Sequence, residues 1–189
     1  NNTVTLFTRP RRFGKTLTMS MLQSFFDCSR DSDAVFDGLS IMNHPEFCAQ
    51  WMNQYPVLFL SLKDVEGLHF ATAFVKLKTL IAEILKKNKS MIEENLADSD
   101  DYAYYKKLKA EEETEAAIQN SLYFLTRVLS KTYGKPVILL IDEYDVPLAK
   151  AQENGYYREM LDVIRGMFST ALKTNEYLKF AVITGCLRI

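Results

Sequence analysis

Gly14, Lys15 and Thr16 stand in a row within LFTRPRRFGKTLTM, residues 6–19, directly after a short apolar run. A glycine, an ammonium and a hydroxyl in that order suit the handling of a polyphosphate. The phosphate-binding pattern is G-x-x-x-x-G-K-[ST] between a buried strand and a helix, and the frame here reads Arg9, Pro10, Arg11, Arg12, Phe13, Gly14, Lys15, Thr16, with Leu17 completing the stretch. In such a loop successive backbone N–H groups form a concavity for phosphate oxygens, and the following helix adds the positive end of its dipole. Gly14 would allow close backbone approach, Lys15 would reach the β- and γ-phosphates, and the Thr16 hydroxyl would ligate Mg²⁺. Arginine replaces the first glycine, but Pro10 restrains Arg9 toward an extended conformation, so the turn out of the strand need not be made by glycine. Arg11 and Arg12 add guanidinium forks that suit phosphate oxygens. Taken alone, the Gly-Lys-Thr half fits an ordinary helix start with solvated arginines equally well.

A second signal comes from Asp142 and Glu143, which follow the apolar run VILLI. Apolar residues and then Asp-Glu form the Walker B pattern: Asp142 would hold Mg²⁺ through water and Glu143 would orient and deprotonate an attacking water. The plain alternative, a surface loop that caps the next helix, loses ground because a Gly-Lys-Thr segment lies upstream. A carboxylate at position 143 favours hydrolysis over phosphoryl transfer to a small molecule. Thr184, at the end of a fourth apolar run, is a candidate for contact with the γ-phosphate or the attacking water, with a backbone-satisfied hydroxyl as the alternative. Arg188 is a candidate for charge stabilisation, with a surface arginine as the simpler reading. Asp145 reads as a helix cap.

Parallel strands with helical crossovers are what could carry these residues to one place. Strands are expected at 4–7, 56–62, 137–142 and 179–185. A helix is expected from about Lys15 to Phe26, with Leu17, Met21, Leu22 and Phe25 on its apolar face. Further helices are expected at 45–52, along Phe74, Leu77, Ile81, Ile84 and Leu85, at 115–132 with Ile118, Leu122, Leu125 and Leu129, and, broken at Asn154-Gly155, at 147–173. The charged, tyrosine-rich stretch at about 95–114 reads as a solvated excursion outside the core.

Composition sets bounds. The 189 residues carry 23 Lys and Arg against 24 Asp and Glu, a net charge of −1, so no overall basic footprint marks a duplex-binding surface. Three cysteines and two histidines show neither zinc-ligand spacing nor a disulfide framework, and no apolar run reaches the roughly 20 residues of a membrane span. A cytoplasmic protein with reduced thiols is the expected setting. The chain starts without methionine and ends directly after an apolar run, and is read as a piece of a longer protein.

LFTRPRRFGKTLTMSML, VILLIDEYDVPL and KFAVITGCLRI together resemble the AAA-ATPase-like family of bacterial proteins that commonly carry a restriction-type nuclease-like domain at the C-terminus. The family typically has arginine at the first loop position, as Arg9 is here. Lys15, Thr16, Asp142 and Glu143 match its Walker residues, and residues 184–189 match its TG-x-x-RI segment; Cys186 departs from the aliphatic residue expected there. The resemblance covers 1–189 as one domain. It implies an α/β, three-layer P-loop NTPase fold with a mainly parallel sheet of the additional-strand type, ordered 5-1-4-3-2, with the fifth strand beyond residue 189. It also implies ATP and Mg²⁺ as ligands and a C-terminal nuclease-like domain as partner, with nucleic acid met only indirectly and oligomerisation left open.

The leading expectation is ATP hydrolysis that gates a partner domain. The competing one is a nucleotide-sensing or protein-interaction module that binds ATP without appreciable turnover. ATP is favoured over GTP because NKSM at Asn88 lacks the aspartate of a guanine-reading N-K-x-D, and nuclease activity within the chain is disfavoured because no [D/E]-x-K triplet occurs.

Overall fold

The computed structural model describes residues 3–10, 12–96 and 101–186. Arg11 and Arg188 lie outside the described residues. Four strands, β1 (Thr3–Thr8), β2 (Val57–Ser61), β3 (Val137–Asp142) and β4 (Leu178–Gly185), form one all-parallel sheet in the spatial order β1-β4-β3-β2. Between them run α1 (Lys15–Phe26), α2 (Asp33–Phe36), α3 (Pro45–Trp51), α4 (Phe70–Lys87), α5 (Lys89–Leu96), α6 (Asp101–Ala110), α7 (Glu115–Tyr133), α8 (Val146–Asn154) and α9 (Tyr157–Leu172).

Strand side chains alternate between two cores, as the two-residue period of a strand requires. Leu58, Leu60, Val137, Leu139, Ile141, Ala181 and Ile183 join the larger core with α4, α7 and α9. Ile138, Leu140, Phe180 and Val182 face the opposite way, toward Met19, Phe25 and Phe26 of α1 and an aromatic cluster that includes Trp51. Every residue of β3 is buried, which is why its sequence reads as an unbroken apolar run ending in one acid.

The helical spacing read from α4 and α7 holds: Leu77, Ile81 and Leu85, and Ile118, Leu122, Leu125 and Leu129, are all buried. Thr114 caps α7 by accepting a hydrogen bond from the Ala117 amide, and Gly134 ends it in the left-handed conformation, φ 65°. On α1 the buried face differs from expectation. Met19, Phe25 and Phe26 turn inward, whereas Leu17 and Met21 are exposed, because the sheet lies against a different face of the helix. The β1 edge is also barely covered: Val4 and Leu6 are each about 40% exposed.

The charged stretch is not a solvated excursion. It contains α6, which packs on α4 through Tyr105 and Leu108, both essentially inaccessible. Its lysines and acids occupy the outer face, so composition hid an amphipathic helix with only two core positions. Lys109 donates to Glu93 Oε1 at 2.8 Å and the Tyr105 hydroxyl donates to the same oxygen at 3.1 Å, which ties α6 to α5. The Lys109 hydrogen bond holds the Glu93 carboxyl below its ordinary value, so this clamp is intact at neutral pH and lost as acid protonates Glu93. Leu108→Ala should lower unfolding free energy by about 2–4 kcal/mol, as for other fully buried leucines, measured by urea denaturation. A cost near zero would return the segment to the surface.

Candidate functional site

Because the strands are parallel, Thr8, Ser61, Asp142 and Gly185 leave the sheet on the same side. The loop from β1 to α1 rises here. Arg9 remains extended, its amide donating to the Gly185 carbonyl at 3.2 Å, which continues the β1–β4 ladder by one residue. Arg12 and Gly14 then take left-handed backbone conformations, φ 67° and 72°. Nothing lies within 4 Å of a Cβ built on Gly14, so glycine is needed there for its backbone angle rather than for space.

The loop curls around Lys15. Its side chain is buried, and its ammonium donates to the carbonyls of Arg9 at 2.9 Å and Pro10 at 3.0 Å, with the Cys186 sulfur at 3.4 Å. Thr16, one residue on, donates its hydroxyl to Asp142 Oδ2 at 2.8 Å, and the Thr184 hydroxyl donates to Asp142 Oδ1. Asp142 and Thr184 are each 1% exposed. A buried carboxylate is costly unless hydrogen-bonded, and here both oxygens are satisfied by hydroxyls from different elements. Asp142 thus joins the start of α1, the end of β3 and the end of β4.

Glu143 leaves β3 in a left-handed conformation, φ 55°, unusual for a side-chain-bearing residue. Its carboxylate makes no hydrogen bond or ion pair among the described residues, and it lines a cavity of about 560 Å³ together with Lys63, Asp145, Lys150 and Cys186. Such an arrangement can hold water against a carboxylate next to the lysine-bearing loop.

Lys15, Thr16, Asp142 and Thr184 are therefore brought together, with Glu143 in the adjoining cavity. Phe13 and Leu17 are each two-thirds exposed and share no hydrogen bond with that cluster. The Arg9 guanidinium sits over the Phe7 ring, 5.5 Å from its centroid, and the Arg12 side chain is exposed.

Sequence reasoning misplaced Asp145 and overlooked Gly185. Asp145 stands at the N-cap position just before α8, but its side chain makes no cap bond; Oδ2 instead accepts from the Cys186 amide at 3.0 Å. A Cβ on Gly185 would lie 2.6 Å from both Asp145 Oδ1 and Tyr144 Cε1. Nothing local in the sequence announces this contact, because it exists only once β4 lies beside β3. Gly185→Ala should cost about 1–3 kcal/mol in stability through overpacking, read by thermal or urea unfolding. An unchanged midpoint would show that Tyr144 and Asp145 yield freely.

A family model described as "Predicted AAA-ATPase" (AAA-ATPase-like) matches residues 1–189. The chain is similar to an "Uncharacterized protein in vnfD 5'region" of Azotobacter chroococcum mcd 1, at 25% identity over 183 residues. That match covers 94% of this chain and 29% of the relative, so the chain spans under a third of the length of the protein it resembles. No solved structure matches it. Among the described residues, no helix is long and apolar enough to cross a membrane.

Proposed function

The chain belongs to the AAA-ATPase-like family, and from that premise we propose that it binds ATP with Mg²⁺ between the β1–α1 loop and Asp142 and hydrolyses it to ADP and phosphate. The observation that carries this reading is the bridge from Thr16 through Asp142 to Thr184 beside the buried Lys15 ammonium. The Thr16 hydroxyl and the Asp142 carboxylate are hard oxygen donors of the kind Mg²⁺ takes when phosphate and water complete its shell. When bound, the ion would neutralise charge on the β- and γ-phosphates.

The chain's own groups do the rest. The amides at the start of α1, with the helix dipole behind them, receive phosphate oxygens. Lys15 turns from the Arg9 and Pro10 carbonyls to the β- and γ-phosphates. Thr184 lies beside Asp142 on the neighbouring strand, placed to orient water or the γ-phosphate. Glu143, in the adjoining cavity, takes the proton of the attacking water. Because Arg9 rests on Phe7, the loop's substitution for glycine is read as a structural variant, and Arg12 remains the described arginine best able to swing toward phosphate.

Turnover is further proposed to regulate an effector domain elsewhere in a longer cytoplasmic chain, with a nuclease-like domain as the first candidate and a fifth strand pairing outside β1. The exposure of Val4 and Leu6 supports that strand. A second reading, ATP as a switch ligand without turnover, draws support from the two loop carbonyls that Lys15 must release when nucleotide enters. Titration with a fluorescent ATP analogue, with and without Mg²⁺, alongside phosphate release, separates them. Mg²⁺-dependent binding with release supports hydrolysis, binding alone supports the switch, and no binding removes both.

A further inference from the structure

Residues 62–69 join β2 to α4 and carry charge to the cavity beside Glu143. Ser61 lies opposite Asp142 in the β2–β3 ladder, and the Leu62 amide donates to the Asp142 carbonyl at 3.0 Å. Lys63 and Glu143 therefore leave neighbouring strands at the same end of the sheet, and both line the cavity of about 560 Å³. The loop that bears Lys63 is held in place. Leu62 and Val65 are buried, the Val65 amide donates to the Leu62 carbonyl at 3.1 Å, and the Tyr156 hydroxyl donates to the Gly67 carbonyl at 2.7 Å. With Leu62 and Val65 committed to the core, Lys63 stays exposed at the Glu143 cavity, whereas its neighbour Asp64 lines a different cavity with Lys76 and Glu83.

The charges that line the Glu143 cavity do not balance. Glu66, Glu143, Asp145 and Glu153 stand against Lys63 and Lys150. A terminal phosphate brought beside Glu143 therefore meets an excess of like charge on this side, and negative charge on a phosphoryl group in transfer needs cations placed around it. Lys150 is committed, donating to Glu153 Oε2 at 2.8 Å. Among the described residues the Lys63 ammonium pairs with Asp64 Oδ2 at 3.9 Å, and the two side chains are 63% and 83% exposed, so solvent screens the pair and holds it weakly. Lys63 is the lysine of this cavity that can turn to phosphate without breaking a close ion pair.

We propose that Lys63 is a further catalytic residue of the site: its ammonium takes an oxygen of the γ-phosphate from the cavity side and stabilises the charge that gathers there during transfer. This rests on the reading of the site as an ATPase given above. In the transfer the oxygen of water bonds to phosphorus and its proton passes to Glu143. The bond from phosphorus to the bridging oxygen breaks with its electron pair left on ADP, and Lys63 keeps its own proton throughout. A cation with this task acts on the phosphoryl group in flight and leaves the binding of ADP alone.

The test reads affinity, so it does not depend on turnover. A fluorescent ADP analogue is titrated with Mg²⁺, with and without aluminium fluoride, which stands in for a phosphoryl group in transfer. Lys63→Ala should bind the ADP analogue within about twofold of the parent but lose about 10- to 100-fold of the tightening that aluminium fluoride brings, the share of one hydrogen bond to a charged group. Lys63→Arg keeps a cation whose donors suit phosphate oxygens and should recover most of that loss. In phosphate-release assays Lys63→Ala should lower kcat and change KM far less. Lys63 is exposed, so both variants should unfold at the temperature of the parent. Equal tightening of the parent and Lys63→Ala would overturn the inference and leave the nucleotide site standing. So would an equal loss of ADP alone or no recovery by arginine, either of which would make the residue structural. A parent that binds ADP but is not tightened by aluminium fluoride would favour the switch reading and overturn the role of Lys63. A parent that binds no ADP would remove the nucleotide reading itself, and this inference with it.

Discussion

Glu143→Gln is expected to bind ATP within about threefold of the unaltered protein and to release phosphate about 10²- to 10⁴-fold more slowly, the range lost when a positioned general base is removed. Glutamine keeps the size of the side chain and its hydrogen-bonding reach but cannot accept the proton of a water. The backbone at this position favours a clean result. Glu143 is held at φ 55° by the elements on either side, and its carboxylate has no partner among the described residues whose loss would disturb the fold. Thermal unfolding of the variant should stay close to that of the parent. Equal rates of phosphate release would remove Glu143 from the chemistry and shift attention to Asp145, which lines the same cavity.

Lys15→Ala should weaken ATP binding by about 100-fold or more, since one charge-assisted hydrogen bond contributes about 1.5–3 kcal/mol and this ammonium would make more than one. The same residue holds the loop together through the Arg9 and Pro10 carbonyls, so its loss acts twice: it removes the cation and loosens the concavity. Lys15→Arg separates the two effects, because a guanidinium keeps the charge but does not fit the compact position of an ammonium. Binding by analogue fluorescence and unfolding by calorimetry should be read on both variants. Affinity retained in Lys15→Ala would place the nucleotide elsewhere or nowhere.

Much of this site was legible because its chemistry is local in sequence. Gly14, Lys15 and Thr16 are consecutive, and Asp142 ends an apolar run whose length and completeness mark a strand buried on both faces. What could not be read depends on pairs that meet only in the folded sheet. Asp145 resembled a helix cap because aspartate before Val-Pro commonly is one, yet the Cys186 amide, brought beside it by β4, takes its side chain. Gly185 read as the end of a strand, and the Tyr144 and Asp145 side chains that crowd it come from β3's far end and the start of α8.

The fold shows the same division. The periodicities of α4 and α7 identified their buried faces because many apolar residues repeat on them. On α6 only Tyr105 and Leu108 are buried among ten residues, so charge dominated the pattern. On α1, Leu17 and Met21 satisfied the period, but the sheet lies against a different face of that helix.

The position of β4 carries a consequence for how the chain reaches this state. β1 pairs only with β4 among the described strands, Thr3 lying beside Phe180 and Thr8 beside Gly185. During synthesis β1 therefore emerges long before its partner among the described strands, and β2 and β3 can pair while it waits. The loop bearing Lys15 has no floor until Thr184 and Gly185 arrive to seat Asp142 and Arg9. Such long-range closure is slow compared with local pairing, so the β1–α1 loop is among the last of the described parts to take shape. Assembly from the far end makes the loop a reporter of completion: a chain halted before β4 would carry every residue of the Gly-Lys-Thr segment and still lack the partners that seat it.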